Sequence, residues 1–284
     1  MKNNIMIMNF SGVYEMQGLK TALEKKVDSV VAENMAAKPV ITQLDCQDIP
    51  GTNCYCDSLA EEEIGKRIIP FGPEGLHFLD SGNYHYLTKL WLELVKEPFE
   101  LLVFDHHTDM QRPAFGGILS CGSWIREALE TNENLKHVIL VGPPQPAMEE
   151  TKKELAEDGE ELLGKVIWIS EEEFLRNVEK PDWIQKLCGQ CNVTGTEADE
   201  KELLPLYISI DKDVLPESEG KTNWDQGNVV LEQVLHFIDV YMQQTPGRQL
   251  IGMDICGEDP ESDNEEVQTV CRKTSEKICG FFLC

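Results

Sequence analysis

Six short apolar runs punctuate the chain, at 4–9 (NIMIMN), 101–105 (LLVFD), 137–142 (HVILVG), 165–170 (KVIWIS), 206–211 (LYISID) and 249–255 (QLIGMDI). Each is continuous instead of alternating in polarity, the pattern of strands covered on both faces within a parallel sheet. Between them, residues 87–95, 123–130, 149–163, 171–178 and 229–242 space their apolar positions at helical intervals and place acidic side chains on the other face. Strand and helix alternating along the whole length predict right-handed βαβ units. The expected fold is α/β, a three-layer αβα sandwich around a mainly parallel, doubly wound sheet. No internal repeat or interdomain linker interrupts the pattern, so residues 1–284 read as a single α/β domain. Two stretches depart from it: 46–73, with Gly, Pro and paired Cys, and 188–204, which is acidic and turn-rich. Both are expected to be irregular surface insertions.

Charge narrows the range of partners. The chain carries 51 Asp+Glu against 25 Lys+Arg, a formal net charge of -26. Binding to phosphate backbones or anionic lipid depends on clustered Lys and Arg, so neither nucleic acid nor membrane is an expected partner. A hydrophobic fraction of 41% and five Trp separate the sequence from acidic disordered chains. The opening MKNNIMIMNFSG is too short and too polar for a secretory signal, and no run of about twenty apolar residues follows, so a soluble, cytoplasmic protein is expected. In that setting the ten cysteines are expected to be reduced thiols. Cys188-Gly189-Gln190-Cys191 has CxxC spacing but no second pair nearby, so thiols in an acidic loop are expected over a zinc site. His77 and His236 lie in apolar surroundings and are expected in the core.

Ligands of parallel α/β sheets bind beyond the carboxyl ends of the strands, where three segments stand out. The run LLVF leads into Asp105-His106-His107-Thr108-Asp109, LYISI runs through Ser209 and Asp211 into Asp213, and IGM leads to Asp254-Ile255-Cys256-Gly257-Glu258. Extended backbone would aim Asp105, His107 and Asp109 one way and His106 and Thr108 the other, and would give Asp211 and Asp213 a common face. Four carboxylates and an imidazole at one end of a sheet repel one another unless cations intervene. Mixed carboxylate and imidazole donors suit Mn²⁺, Fe²⁺, Co²⁺ or Zn²⁺. Singly, a DxHxD string can be a solvated loop and DxD is common. Both together at two strand ends, with His85 after the turn Asp80-Ser81-Gly82-Asn83, point to a binuclear metal site.

These residues resemble the ureohydrolase superfamily, which includes arginase, agmatinase and formimidoglutamase. Its DAHxD string is similar to Asp105–Asp109, with His106 in place of Ala; its SxDxD string is similar to Ser209–Asp213; and its histidine after a GGD turn is similar to His85. The resemblance spans about residues 75–260 and implies two divalent ions, Mn²⁺ foremost. It assigns His85, Asp105, Asp109 and Asp213 to one metal and Asp105, His107, Asp211 and Asp213 to the other, with Asp105 and Asp213 bridging. It further implies hydroxide attack on a small cationic guanidino or amidine substrate, with Asp109 transferring the proton to the leaving amine, and a possible homo-oligomer. Ser120, Trp224 and Asp225 are candidate substrate contacts, Trp224 by stacking on a cationic group. Asp225 serves equally as an N-cap ahead of a helix from Val229.

Three departures from the family pattern bear on function. The acidic DIVE segment becomes Asp254–Glu258, its carboxylate one residue late, so either a bulge presents Glu258 to the substrate or the substrate is held differently. Ser120-Cys121-Gly122-Ser123 stands where arginases place a proton-shuttling histidine, which favours formimidoglutamase-like relatives. Val214-Leu215-Pro216 lacks the usual Asp. Alternative readings are a non-catalytic metal-binding relative, a mononuclear zinc deacetylase-like amidohydrolase, and an arginase acting on peptide arginine.

Overall fold

A computed structural model of the chain describes residues 4–34, 37–114, 116–191 and 203–283. Its strands are β1 (Ile5–Asn9), β2 (Ile41–Asp45), β3 (Tyr55–Cys56), β4 (Gly75–Phe78), β5 (Phe99–Phe104), β6 (Leu119–Ser120), β7 (Leu135–Val141), β8 (Val166–Ile169), β9 (Leu206–Asp211) and β10 (Leu250–Cys256). Its helices are α1 (Val13–Gln17), α2 (Leu19–Asn34), α3 (Ser58–Ile68), α4 (Leu87–Leu92), α5 (Trp124–Thr131), α6 (Gln145–Asp158), α7 (Glu171–Asn177), α8 (Pro181–Cys191), α9 (Leu231–Gln244) and α10 (Glu265–Leu283).

Eight strands form one sheet in the order β2-β1-β4-β10-β9-β5-β7-β8, with every neighbouring pair parallel. The continuous apolar runs have the expected cause. Ile5, Ile7, Leu102 and Phe104 pack into the core on one face, and Met6, Met8, Leu101 and Val103 into the core on the other. β4 and β5 follow one another in sequence but are separated in the sheet by β10 and β9. The carboxyl ends of β4, β10, β9 and β5 therefore lie side by side where the strand order reverses, the position at which open α/β sheets bind ligands.

The structure corrects several expectations. The stretch 46–73 is irregular only in part: Asp57 caps α3 by accepting from the backbone N–H groups of Leu59 (3.0 Å) and Ala60 (2.9 Å), and β3 pairs antiparallel with β6. Of the second stretch, 188–191 is the end of α8, with Cys188 buried, so the CxxC lies on a helix and not in a loop; residues 192–202 lie outside the described residues. α2 and α10, the longest helices described, carried no expectation. Among the described residues, Cys46, Cys54, Cys56, Cys121, Cys256, Cys271 and Cys279 are free thiols. No helix among the described residues is long and apolar enough to cross a membrane.

Candidate metal centre

Asp80 fixes the geometry at the end of β4. Its buried carboxylate accepts from the N–H groups of Phe10 (2.8 Å) and Ser11 (2.9 Å) and from the Ser11 hydroxyl (2.6 Å), joining the turn after β4 to the turn after β1. The single helical turn Gly82–Tyr84 then delivers His85, which is 1% exposed. His85 Nε2 meets Ser209 Oγ at 2.9 Å, which leaves Nδ1 for the cluster. Nδ1 lies 3.1 Å from Asp105 Oδ2, 3.2 Å from Asp109 Oδ2 and 3.4 Å from Asp211 Oδ2. His107 Nδ1 lies 2.8 Å from Asp213 Oδ2 and 3.6 Å from Asp105 Oδ1.

All six sequence-predicted ligands thus converge, but their division differs from the one the resemblance implied. Among the described residues, the groups close enough to share an ion are His85, Asp105 and Asp109; Asp105, His107 and Asp213; and His85, Asp211 and Cys256. Asp211, not Asp213, faces His85, because Asp211 ends β9 while Asp213 turns toward His107 across a short helical turn capped by the Asp211 carboxylate. The route to convergence differs too. Beyond Phe104 the chain is not extended: Asp105 Oδ1 accepts the His107 N–H at 2.6 Å, and Asp109 sits at φ 47°, a left-handed conformation that Asp tolerates better than most residues. The Trp124 indole N–H donates to Asp109 Oδ2 at 2.6 Å.

Two buried atoms in this cluster, His85 Nδ1 and Asp105 Oδ2, have no hydrogen-bond partner. A buried polar atom without a hydrogen bond costs about 1–3 kcal/mol, more for a charged group, and these two, 3.1 Å apart, meet only as an ion pair. Electrostatics agrees. Burial, together with the charge on Asp105, pushes the Asp109 pKa up to about 7. Burial and neighbouring carboxylates raise Asp211 and Asp213 likewise. Burial opposes charge on the two histidines, but the acidic groups around them prevail, holding His85 well above the usual imidazole value and His107 up to about 12. Protons thus hold the cluster together where divalent cations would do so more effectively. The donor set of carboxylate oxygens and imidazole nitrogens fits such ions.

A cavity of about 260 Å³ opens onto Asp105, His107, Asp109, Asp211 and Asp213. The other side chains that line it are neutral: Cys54, Tyr55, Gln111, Ser120, Cys121 and Trp224. Ser120 and Trp224 thus both line the cavity beside the cluster. The Trp224 ring closes over Gly82, where an added Cβ would lie 2.9 Å from Trp224 Cδ1 and 3.1 Å from Asp211 Oδ2. Only glycine fits there without displacing one or the other.

Two other candidates do not reach this cavity. Glu258 is fully buried in a pair with Lys212 Nζ and accepts from Gln17 Nε2 at 2.7 Å, while Lys212 also donates to Ser275 Oγ (2.8 Å) and the Cys271 carbonyl (3.2 Å). No bulge presents the carboxylate: Gly257, at φ 94°, passes 2.4 Å from Asp211 Oδ1 measured from an added Cβ, and Glu258 turns toward α10. Asp225 lines a separate, adjoining cavity with His106, Arg112 and Glu154, and the N-cap of α9 is Val230, so Asp225 does not cap that helix either. His77 is a core residue, stacked on Trp91 at 3.9 Å between ring centroids. His236, expected in the core, is only half-buried and borders a surface cavity with Glu232 and Asp239.

Sequence reasoning missed Trp124, which holds Asp109 from the start of α5, and four cavity residues: Cys54, Tyr55 and Cys121, brought there by the β3–β6 pairing, and Gln111, whose backbone N–H donates to the Gly122 carbonyl. Cys256 carried a signal, since it ends a strand two residues after Asp254.

No protein-family model matches the chain. It is 32% identical over 255 residues to an uncharacterized protein of Thermotoga maritima, covering 90% of this chain and 80% of that one. Among solved structures it resembles formimidoylglutamase from Bacillus subtilis, with a TM-score of 0.67 and 16% identity over 99% of this chain and 86% of that one. It also resembles a triple mutant of the T. brucei arginase-like protein bound with Mn²⁺, with a TM-score of 0.62 and 16% identity over 99% of this chain and 90% of that one.

Proposed function

We propose that this chain, by its fold and two strand-end motifs a divergent member of the ureohydrolase superfamily, hydrolyses a C–N bond of a guanidino or amidine compound. It belongs to one family with the Thermotoga maritima protein. The observation that carries the reading is the convergence of His85, Asp105, His107, Asp109, Asp211 and Asp213 around buried, unpartnered His85 Nδ1 and Asp105 Oδ2.

In this reading His85, Asp105, Asp109 and Asp211 would hold one divalent cation, and Asp105, His107 and Asp213 the second, with Mn²⁺ the first ion to try. Such a pair supplies a water activated for attack at neutral pH and polarises the bond under attack. The protein supplies the rest. Trp124 fixes Asp109 Oδ2, so Oδ1 is the atom that takes the proton of the nucleophile and returns it to the leaving nitrogen. Asn83 Oδ1 accepts the Trp224 indole N–H at 2.9 Å and steadies the ring at the cavity mouth, where its face can stack on a planar cation. Ser120 and Gln111 offer hydrogen bonds to the rest of the substrate. With Glu258 bound to Lys212, cation recognition falls to Trp224 and to the field of the acidic chain.

Purified protein reconstituted with Mn²⁺ should bind two ions per chain and release urea, ammonia or formamide from one of a panel of guanidino and amidine compounds. Two bound ions without turnover across the panel would favour a metal-binding, non-catalytic relative, a second reading supported by the engagement of Glu258 with Lys212.

A further inference from the structure

The third ligand group contains a residue that the reading above leaves unused. Cys256 closes β10, and in the parallel register of β10 with β9 it is the direct partner of Asp211. The sheet itself, not a loop, therefore holds thiol and carboxylate side by side, with Cys256 Sγ 3.0 Å from Asp211 Oδ2. The same Asp211 oxygen lies 3.4 Å from His85 Nδ1, the buried ring nitrogen without a hydrogen-bond partner. Ligand atoms of His85, Asp211 and Cys256 all fall within 4.8 Å of one another, and all three residues are buried. Imidazole, carboxylate and thiol at this spacing form a donor set for a borderline-soft cation.

We propose that Cys256 is a metal ligand, giving the His85 position of the centre a sulfur donor and selecting there a softer ion, Zn²⁺ or Fe²⁺, in preference to Mn²⁺. The position built from Asp105, His107 and Asp213 offers only oxygen and nitrogen and keeps no such preference. The two halves of the centre thus differ in the metal they retain. On binding, the Cys256 S–H bond breaks, its proton passes to solvent water and a metal–sulfur bond forms, so metal uptake at this position releases a proton. The inference rests on the metal-centre reading of the preceding subsection.

X-ray absorption of the zinc-loaded protein and the optical spectrum of the cobalt-loaded protein test it without an activity assay. Cys54 and Cys121 line the cavity, so both measurements use the Cys54→Ser/Cys121→Ser background as well as the parent chain. The proposal expects a sulfur shell at about 2.3 Å from zinc, and a near-ultraviolet sulfur-to-cobalt charge-transfer band. Both should persist in the double variant and disappear in Cys256→Ser. Zinc affinity in Cys256→Ser should fall by at least the roughly 10–100-fold that loss of an outer-shell partner costs, with a smaller change for Mn²⁺. If Cys256→Ser does not fold, the sulfur shell in the double variant decides. Bound metal with no sulfur shell, or a shell that survives in Cys256→Ser, overturns the role of Cys256 and leaves the metal centre standing. A chain that binds no divalent ion overturns both.

Discussion

Replacing Glu258 with glutamine separates a structural carboxylate from a catalytic one. Glu258 and Lys212 are both fully buried, and Lys212 Nζ spends its donors on Glu258, Ser275 Oγ and the Cys271 carbonyl. Glu258→Gln leaves a buried ammonium without its counter-charge, a change that destabilises by about 3–5 kcal/mol. At roughly 2–4 °C per kcal/mol, the melting temperature should drop by roughly 6–20 °C. Replacing the pair together, as Lys212→Met/Glu258→Leu, should recover most of that loss, because an apolar pair of similar volume is often neutral or better. Thermal and urea unfolding of the parent, Lys212→Met, Glu258→Leu and the double variant give the coupling. Turnover and metal content of Glu258→Gln, measured well below its melting temperature, should stay close to those of the parent. A variant of unchanged stability that loses turnover would refute the placement of Glu258 outside the reaction.

Four further outcomes follow from the same geometry. Asp109→Asn should fold but lose roughly 10²–10⁴-fold in kcat, the usual contribution of a positioned acid–base group, and unchanged kcat would remove Asp109 from proton transfer. Gly82→Ala, whose Cβ would press on both Trp224 and Asp211, should weaken metal binding and raise KM together, and titration calorimetry with steady-state kinetics would detect its failure to do so. Metal-free protein should lose stability as pH rises from 5 to 8. Asp109 is raised to about 7, so its stabilising contribution, complete below the ordinary carboxylate value, fades as pH passes through 7. His107, raised to about 12, loses its contribution above the ordinary imidazole value, in the same direction. Mn²⁺ at about 100 times its Kd should add about 2.7 kcal/mol, and equal melting temperatures of the metal-free protein at pH 5 and 8 would contradict the electrostatic account.

Much of this site is legible in the sequence because it lies at strand ends. The runs ending at Phe104 and Asp211 mark β5 and β9, and a doubly wound sheet brings those ends together. What the sequence conceals is tertiary. The four residues of β4 follow a proline and give too short a pattern to mark a strand, and α2 mixes apolar and charged residues with little periodic contrast. The sharing of Asp211 with His85 depends on the turn at Lys212–Val214, which strand alternation does not describe. Glu258 was ambiguous for a related reason: a glycine at φ 94° decides which way the following side chain faces, and Lys212, from another strand end, is what receives it. Cys54 and Tyr55 join the cavity through a two-residue antiparallel pairing with residues from β6, whose partners are far apart in sequence.

The binuclear centre is tested most directly by anomalous diffraction from crystals of the chain saturated with Mn²⁺. The account predicts two anomalous peaks, one beside His85, Asp105, Asp109 and Asp211, the other beside His107 and Asp213, with Asp105 reaching both. A single peak, or none among these six residues, would contradict it.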